Sequence, residues 1–311
     1  MKILISGTSG FIGGNLQCLL ADHFEITSIG RDSASEVGAD FGKLESIESI
    51  NIKGYDLFIY CSGVTDEEFA NDTLKGYQRS THYFSKLIYT LIKQGVKHFI
   101  YFSTGRVYGS FEGFINEDSI PTPIDDYSIG HYAAEQILRK FSHEFDIRVL
   151  VIRPGAVFGL PANWDTFKRW HLIQYSFPLN CVYQKKIVLR SSGSQKRNFV
   201  NVIDIANYIL VYFKYLKVLD RYLIINPVGE SNLSIYEFAL KCSEIYTDIT
   251  GKDCEIIRSN ETQKINNYFA YQTKYKVFKQ SFRNSIDDYL RLFIEKAIVD
   301  YSNNIIYKKM K

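Results

Sequence analysis

Lys2-Ile3-Leu4-Ile5-Ser6-Gly7-Thr8-Ser9-Gly10-Phe11-Ile12-Gly13 stands almost at the start of the chain. The apolar run within residues 2–6 reads as a buried strand. Gly7, Gly10 and Gly13 follow it and open residues 10–20, where Phe11, Leu16, Leu19 and Leu20 recur at helical spacing. Glycines at such a junction permit a tight turn and let backbone N–H groups approach a pyrophosphate. The helix N-terminus adds partial positive charge. A glycine triplet alone is weak evidence, but one with a strand before it and a helix after it is specific. The stretch predicts a dinucleotide site in which Gly7, Ser9, Gly10, Phe11, Ile12 and Gly13 meet the cofactor.

Outward from this loop the same alternation continues. Residues 25–29, 55–61, 98–103 and 148–152 read as short strands. Residues 83–93 and 127–141 read as helices, the first stopped by Gln94-Gly95. Short apolar strands alternating with helices predict an α/β fold with a Rossmann-like, doubly wound parallel sheet. Ligands in such sheets bind beyond the carboxyl ends of the strands. The glycine loop, Thr104 and the residues after Ile152 all fall at that edge.

After residue 160 the pattern loosens around Trp164, Trp170 and Tyr175, and residues 233–246 form one further amphipathic helix. The expected organisation is a dinucleotide-binding domain over 1–160, with a return segment near 195–215. A smaller, interwoven substrate-binding lobe takes most of 161–311. Asp204 is expected to cap or brace the start of a helix over 205–213. Asn163, Trp164, Lys168 and Arg169 fit either a nucleotide pocket or lobe packing.

Composition narrows the function. A net charge of +3 gives no case for nucleic-acid binding. The five cysteines form neither a CxxC pair nor a metal-ligand spacing, so no metal is expected and the set points to a reduced cytoplasm. Cys18 and Cys61 fall in apolar segments and are expected in the core. Ile3-Leu4-Ile5 is too short for a signal-peptide core, and Lys214 interrupts the apolar run from Tyr208 well short of a membrane span.

The second strand ends Ile29-Gly30-Arg31-Asp32. An acidic residue there holds the ribose hydroxyls of NAD, whereas an arginine pairs with the 2′-phosphate of NADP. Arg31 comes first and favours NADP, while Asp32 keeps NAD open.

Further motifs accumulate downstream: Asp40-Phe41, Ser103-Thr104-Gly105-Arg106-Val107-Tyr108-Gly109, residues 127–135, Arg153-Pro154-Gly155-Ala156-Val157-Phe158-Gly159, and residues 197–204. With the glycine loop they resemble the extended short-chain dehydrogenase/reductase family of nucleotide-sugar epimerases, dehydratases and reductases. The resemblance spans nearly the whole chain. It implies Tyr127 as acid/base and Thr104 as the hydroxyl that orients the reacting carbonyl. It places Asp40 and Phe41 at the adenine, Ser62, Gly63, His131 and Pro154 with the cofactor, and Arg106 and Arg197 toward the substrate, Arg197 at its diphosphate. It also implies a homodimer built on the helices over 83–93 and 127–141.

Two departures from that family matter. A phenol near pKa ~10 becomes a better base beside a cation, and the family places a lysine four residues after the tyrosine. Here His131 stands in that place. Tyr132, the neighbouring candidate, has only Gln136 at the same offset, and Glu135 matches the frame set by Tyr127. The family's 4,6-dehydratases carry Asp-Glu after the threonine, where this chain has Gly105-Arg106, which argues against dehydration. Three readings stand. The first is an NAD(P)-dependent 4-keto-sugar reductase. The second is a nucleotide-sugar epimerase with tightly held NAD. The third is a non-catalytic dinucleotide-binding protein.

Overall fold

The computed structural model describes residues 1–109, 112–258, 268–279 and 284–303. Residues 304–311 of the expected second lobe lie outside the described residues. The principal sheet has seven strands, all pairs parallel. Its order is β11 (Tyr222–Ile225), β7 (Arg148–Ile152), β5 (His98–Phe102), β4 (Leu57–Tyr60), β1 (Lys2–Ser6), β2 (Glu25–Gly30), β3 (Val37–Gly38). Strand order runs outward from β1 in both directions. The point of reversal, between β1 and β4, is where a doubly wound sheet opens a crevice for ligands.

The side-chain period of two loads both faces of the sheet. Ile3, Ile5, Leu57, Ile59, Ile100 and Ile152 pack on one side with Leu16 of α1 (Phe11–Leu19) and its C-cap residue Leu20. Leu4, Phe58, Phe99, Tyr101 and Val151 pack on the other. Three further short sheets occur among the described residues. In one, β10 (Lys196–Asn201) lies between β8 (Ala156–Phe158) and β12 (Ser231–Ser234). In the others β9 (Lys186–Leu189) pairs with β13 (Glu255–Arg258), and β6 (Gly113–Ile115) with β14 (Phe269–Tyr271).

The remaining helices are α2 (Leu44–Glu48), α3 (Asp66–Asn71), α4 (Thr73–Gln78), α5 (Phe84–Lys93), α6 (Asp126–Glu144), α7 (Ile173–Gln184), α8 (Val202–Lys214), α9 (Ile235–Thr250) and α10 (Ile286–Asn303). A separate core joins α7, α9 and α10 around Tyr175, Phe199, Phe238 and Phe293. Helix α8 instead packs Ile205, Ile209 and Tyr212 against the principal sheet. A five-residue π-turn, Arg79–Tyr83, joins α4 to α5 without a break.

Two sequence expectations are corrected here. Cys18 is exposed, not core. It sits two residues from both Leu16 and Leu20, about 200° around the helix from the stripe they form. Cys61 is half-buried and packs beside the core that contains Leu57 and Ile59. Helix α8 starts at Val202, and its cap is Asn201, whose side chain accepts from the Ile203 N–H. Asp204 lies inside the first turn and accepts instead from the backbone and side-chain nitrogens of Asn284.

Candidate active site

The glycine loop is shaped for a close-lying ligand. Gly7 has φ +70°, and a Cβ there would stand 2.6 Å from the Cys61 carbonyl oxygen. A Cβ on Gly13 would meet the Gly7 carbonyl oxygen at 2.3 Å, so helix and strand approach only because both residues are glycine. Gly10 caps α1 without any side-chain hydrogen bond, and no acidic residue sits in the first turn. The helix therefore offers its N–H groups and dipole to an outside anion, which fits a dinucleotide pyrophosphate. Phe11 turns away from the loop and packs edge-on against Phe167 and Tyr175.

Thr104 follows β5 and is buried. Its Oγ1 accepts from Arg106 N at 3.2 Å, capping the short turn Gly105–Tyr108. Tyr127 enters from the first turn of α6, whose Asp125 and Ser128 form a capping box. The Thr104 hydroxyl lies close enough to Tyr127 to favour the ionised phenol. Burial pushes the Tyr127 phenol above its ordinary value, and the Asp66 carboxylate adds to this. Arg106, Arg169 and the Thr104 hydroxyl act in the opposite direction.

His131 lies one turn along α6, 5% exposed, with its ring edge-on to Tyr127 at 4.5 Å between centroids. Its Nδ1 is 2.8 Å from the Tyr101 hydroxyl. Burial, aided by the charge of Arg106, drives its pKa down to about 4, against a hydrogen bond to the Val64 backbone. The ring is thus neutral at pH 7. At the Nδ1 contact the tautomer decides whether the ring or the Tyr101 hydroxyl donates. Gly63 is required beside it, since a Cβ there would lie 2.9 Å from His131 Cε1.

A buried ion pair holds these elements in register. Arg153, at the end of β7, donates to Glu135 of α6 through Nε (3.0 Å) and Nη2 (2.5 Å). Ser103 donates to the same carboxylate at 2.5 Å. Both charged side chains are almost fully enclosed, at 2% and 0% exposure. The Arg153 guanidinium also stacks over Tyr108, 4.8 Å from the ring centre. The Pro154 carbonyl accepts from Gly105 N at 2.7 Å, tying the end of β7 to the turn that carries Arg106.

Comparison with known proteins identifies the family of the chain. Residues 3–226 match the model of the NAD dependent epimerase/dehydratase family. The chain belongs to that family. It is 22% identical over 275 residues to an uncharacterised UDP-glucose epimerase of Bacillus subtilis, covering 81% of this chain and 83% of that one. It is 28% identical over 224 residues to the UDP-glucose 4-epimerase of Vibrio cholerae, covering 65% and 66%. Among solved structures, the UDP-glucose 4-epimerase of Thermotoga maritima with UDP-glucose superposes at TM-score 0.77 and 19% identity, over 97% of this chain and 99% of that one. Pseudomonas aeruginosa RMD complexed with NADPH gives 0.77 and 19%, over 96% and 99%. These two likenesses establish the fold.

The other residues expected at the site of this epimerase/dehydratase family member fall at the same edge or close to it. Arg31 is exposed beyond β2. Asp40 accepts from Gly42 N, while the Phe41 ring is buried against Phe58 and Tyr60, so that ring is a core group. Ser62 receives the Tyr60 hydroxyl on its carbonyl. Arg197 lies on β10, close enough for the charge of Arg106 to lower its pKa, second to burial. Trp164 joins the packing around Trp170 and Phe293. Asn163 caps its own turn, accepting from Asp165 N and Thr166 N.

Sequence reading missed Asp66, Asp125 and Tyr101. Arg106 donates through Nη1 to both oxygens of Asp66, at 2.7 and 2.9 Å, and through Nη2 to Asp125 at 2.8 Å. Its guanidinium carbon lies 4.8 Å from the centre of the Tyr127 ring. Asp125 was legible as an acidic residue just before a helix start. Asp66 was not, because nothing in the chain links it to a partner 40 residues away.

Proposed function

We propose that this enzyme is an NAD(P)-dependent oxidoreductase of a nucleotide-linked sugar, acting as a 4-keto-sugar reductase. The observation that carries the reading is the approach of Thr104 to Tyr127 at the carboxyl-terminal edge of the sheet, the edge that also carries the glycine loop. When bound, the nicotinamide supplies the hydride. Thr104 holds the sugar carbonyl oxygen, and Tyr127 gives it a proton through its hydroxyl. The burial that raises the phenol above its ordinary value favours the protonated form that reduction requires. The Glu135–Arg153 pair fixes the backbone on which both groups stand. Arg197 faces the substrate diphosphate, and Gly105-Arg106 lacks the acid and base of a dehydration.

Arg31 supports NADPH as the dissociable reductant, with its guanidinium on the 2′-phosphate. A second reading, an epimerase with tightly bound NAD, has support in the named epimerases among the chain's relatives. Both readings need hydride and proton transfer at one carbon only. Mass spectrometry of nucleotide released on denaturation, beside NADH and NADPH titrations, separates them. Retained NAD favours the epimerase; an empty protein preferring NADPH favours the reductase. Tyr127→Phe should abolish turnover of a 4-keto-sugar nucleotide while leaving NADPH bound. Failure to bind either nucleotide would sink both readings.

A homodimer through α5 and α6 belongs to the same reading, with Tyr89 and Ile129 left in solvent as its apolar points. Light scattering reporting a monomer would count against it. The five cysteines are free thiols, which supports a reducing cytoplasm.

A further inference from the structure

We propose that Arg106 is the electrostatic partner of Tyr127, supplying the positive charge that the family's lysine supplies from the helix. This rests on the reading of Tyr127 as acid/base. Two observations of geometry carry it.

The residue in the lysine position has no charge to give. His131 is 5% exposed, enclosed against Tyr101 and Gly63, with Nδ1 engaged by the Tyr101 hydroxyl. The cation that does reach the phenol comes from another element, the turn directly after Thr104. Arg106 lies along the Tyr127 ring at 4.8 Å. Asp66 of α3 grips it from one side and Asp125 from the other, so a long side chain keeps one position. A planar guanidinium suits this role, because it stacks on the ring and forks to two carboxylates at once.

The charged and titratable groups facing Tyr127 come from five elements, one of them β5 through Tyr101. Its own helix and cap bring His131 and Asp125, and α3 brings Asp66. The turn after β5 brings Thr104 and Arg106, and the segment before α7 brings Arg169, itself paired with Glu67. Asp66 opposes Arg106. The two substitutions therefore carry opposite signs, which a purely structural role for the cluster does not predict.

The test reads the phenol directly. Protein labelled with 13Cζ-tyrosine is titrated by NMR, and the Tyr127 resonance is assigned by its loss in Tyr127→Phe. Arg106→Gln should raise the Tyr127 midpoint by about one pH unit, the size of a single opposite charge at this range. Arg106→Lys should restore most of it, and Asp66→Asn should lower it. Introducing His131→Lys into the Arg106→Gln protein should bring the midpoint back down. Thermal melts confirm that each variant is folded. An unchanged or lower midpoint in Arg106→Gln overturns the proposal, whatever the substrate proves to be. Loss of the resonance shift with keto-sugar turnover intact overturns it too. A Tyr127→Phe protein that still turns over substrate overturns instead the acid/base reading beneath it.

Discussion

Removing one member of the Glu135–Arg153 pair should destabilise the protein far more than removing both. In Glu135→Leu the guanidinium of Arg153 stays 2% exposed with its Nε and Nη2 partners gone, and Ser103 loses its acceptor. Uncompensated buried charges of this kind cost about 3–5 kcal/mol. In a chain of this size each kcal/mol moves Tm by roughly 2 °C, so a fall of about 6–10 °C is expected. Arg153→Met strands the carboxylate instead and should cost a similar amount. Glu135→Leu with Arg153→Met leaves no charge inside and should recover most of the loss, to within about 2 kcal/mol of wild type. Differential scanning calorimetry of the four proteins closes the cycle. A double variant as unstable as the sum of the singles would refute the idea that the two act as one unit. A single variant losing under about 1 kcal/mol would show that the pair is open to water.

Other outcomes follow from the same geometry. An unfolded histidine takes up a proton below its ordinary 6.5, whereas His131 resists until about 4. The unfolded state therefore binds more protons in that window, and stability falls as pH drops through it, by at most about 3 kcal/mol. Urea titrations at pH 7 and pH 4.5 should show a smaller loss in His131→Gln than in wild type; equal losses would place the titration elsewhere. Gly13→Ala should weaken NADPH binding roughly tenfold or more, since the new methyl group meets the Gly7 carbonyl; fluorescence titration reads this, and unaltered affinity would count against the loop as the phosphate site. Asn201→Ala should cost about 1 kcal/mol by urea denaturation through the lost cap on α8.

Much of the fold was legible in the sequence because its strands are continuous apolar runs. Leu57 to Tyr60 and Val149 to Ile152 are buried on both faces, so local composition sufficed. The short strands were not legible. Gly113–Ile115 pairs with Phe269–Tyr271 across more than 150 residues, and neither segment is long enough to show a period. At the candidate site, Thr104 and Tyr127 could be placed because each follows a recognisable element. How far His131 is held neutral could not be read, because its pKa is set by burial and by Arg106 and Val64, which reach it from other parts of the chain. The same holds for Arg106, whose orientation depends on Asp66 and Asp125.

The π-turn between α4 and α5 acts as a gear. One inserted residue advances a helix by about 100°. Upstream of it, the rod meets α3 and α6, and at the turn itself Ser80, with Phe69 of α3, crowds Gly130 so closely that a methyl group there would lie 2.6 Å from the Phe69 ring. Downstream, Leu87, Ile88 and Leu91 face the sheet. A single-residue deletion within Arg79–Tyr83 would leave composition and helical propensity nearly untouched. It would nonetheless turn that apolar stripe off the sheet, so length in this segment is constrained more tightly than residue identity.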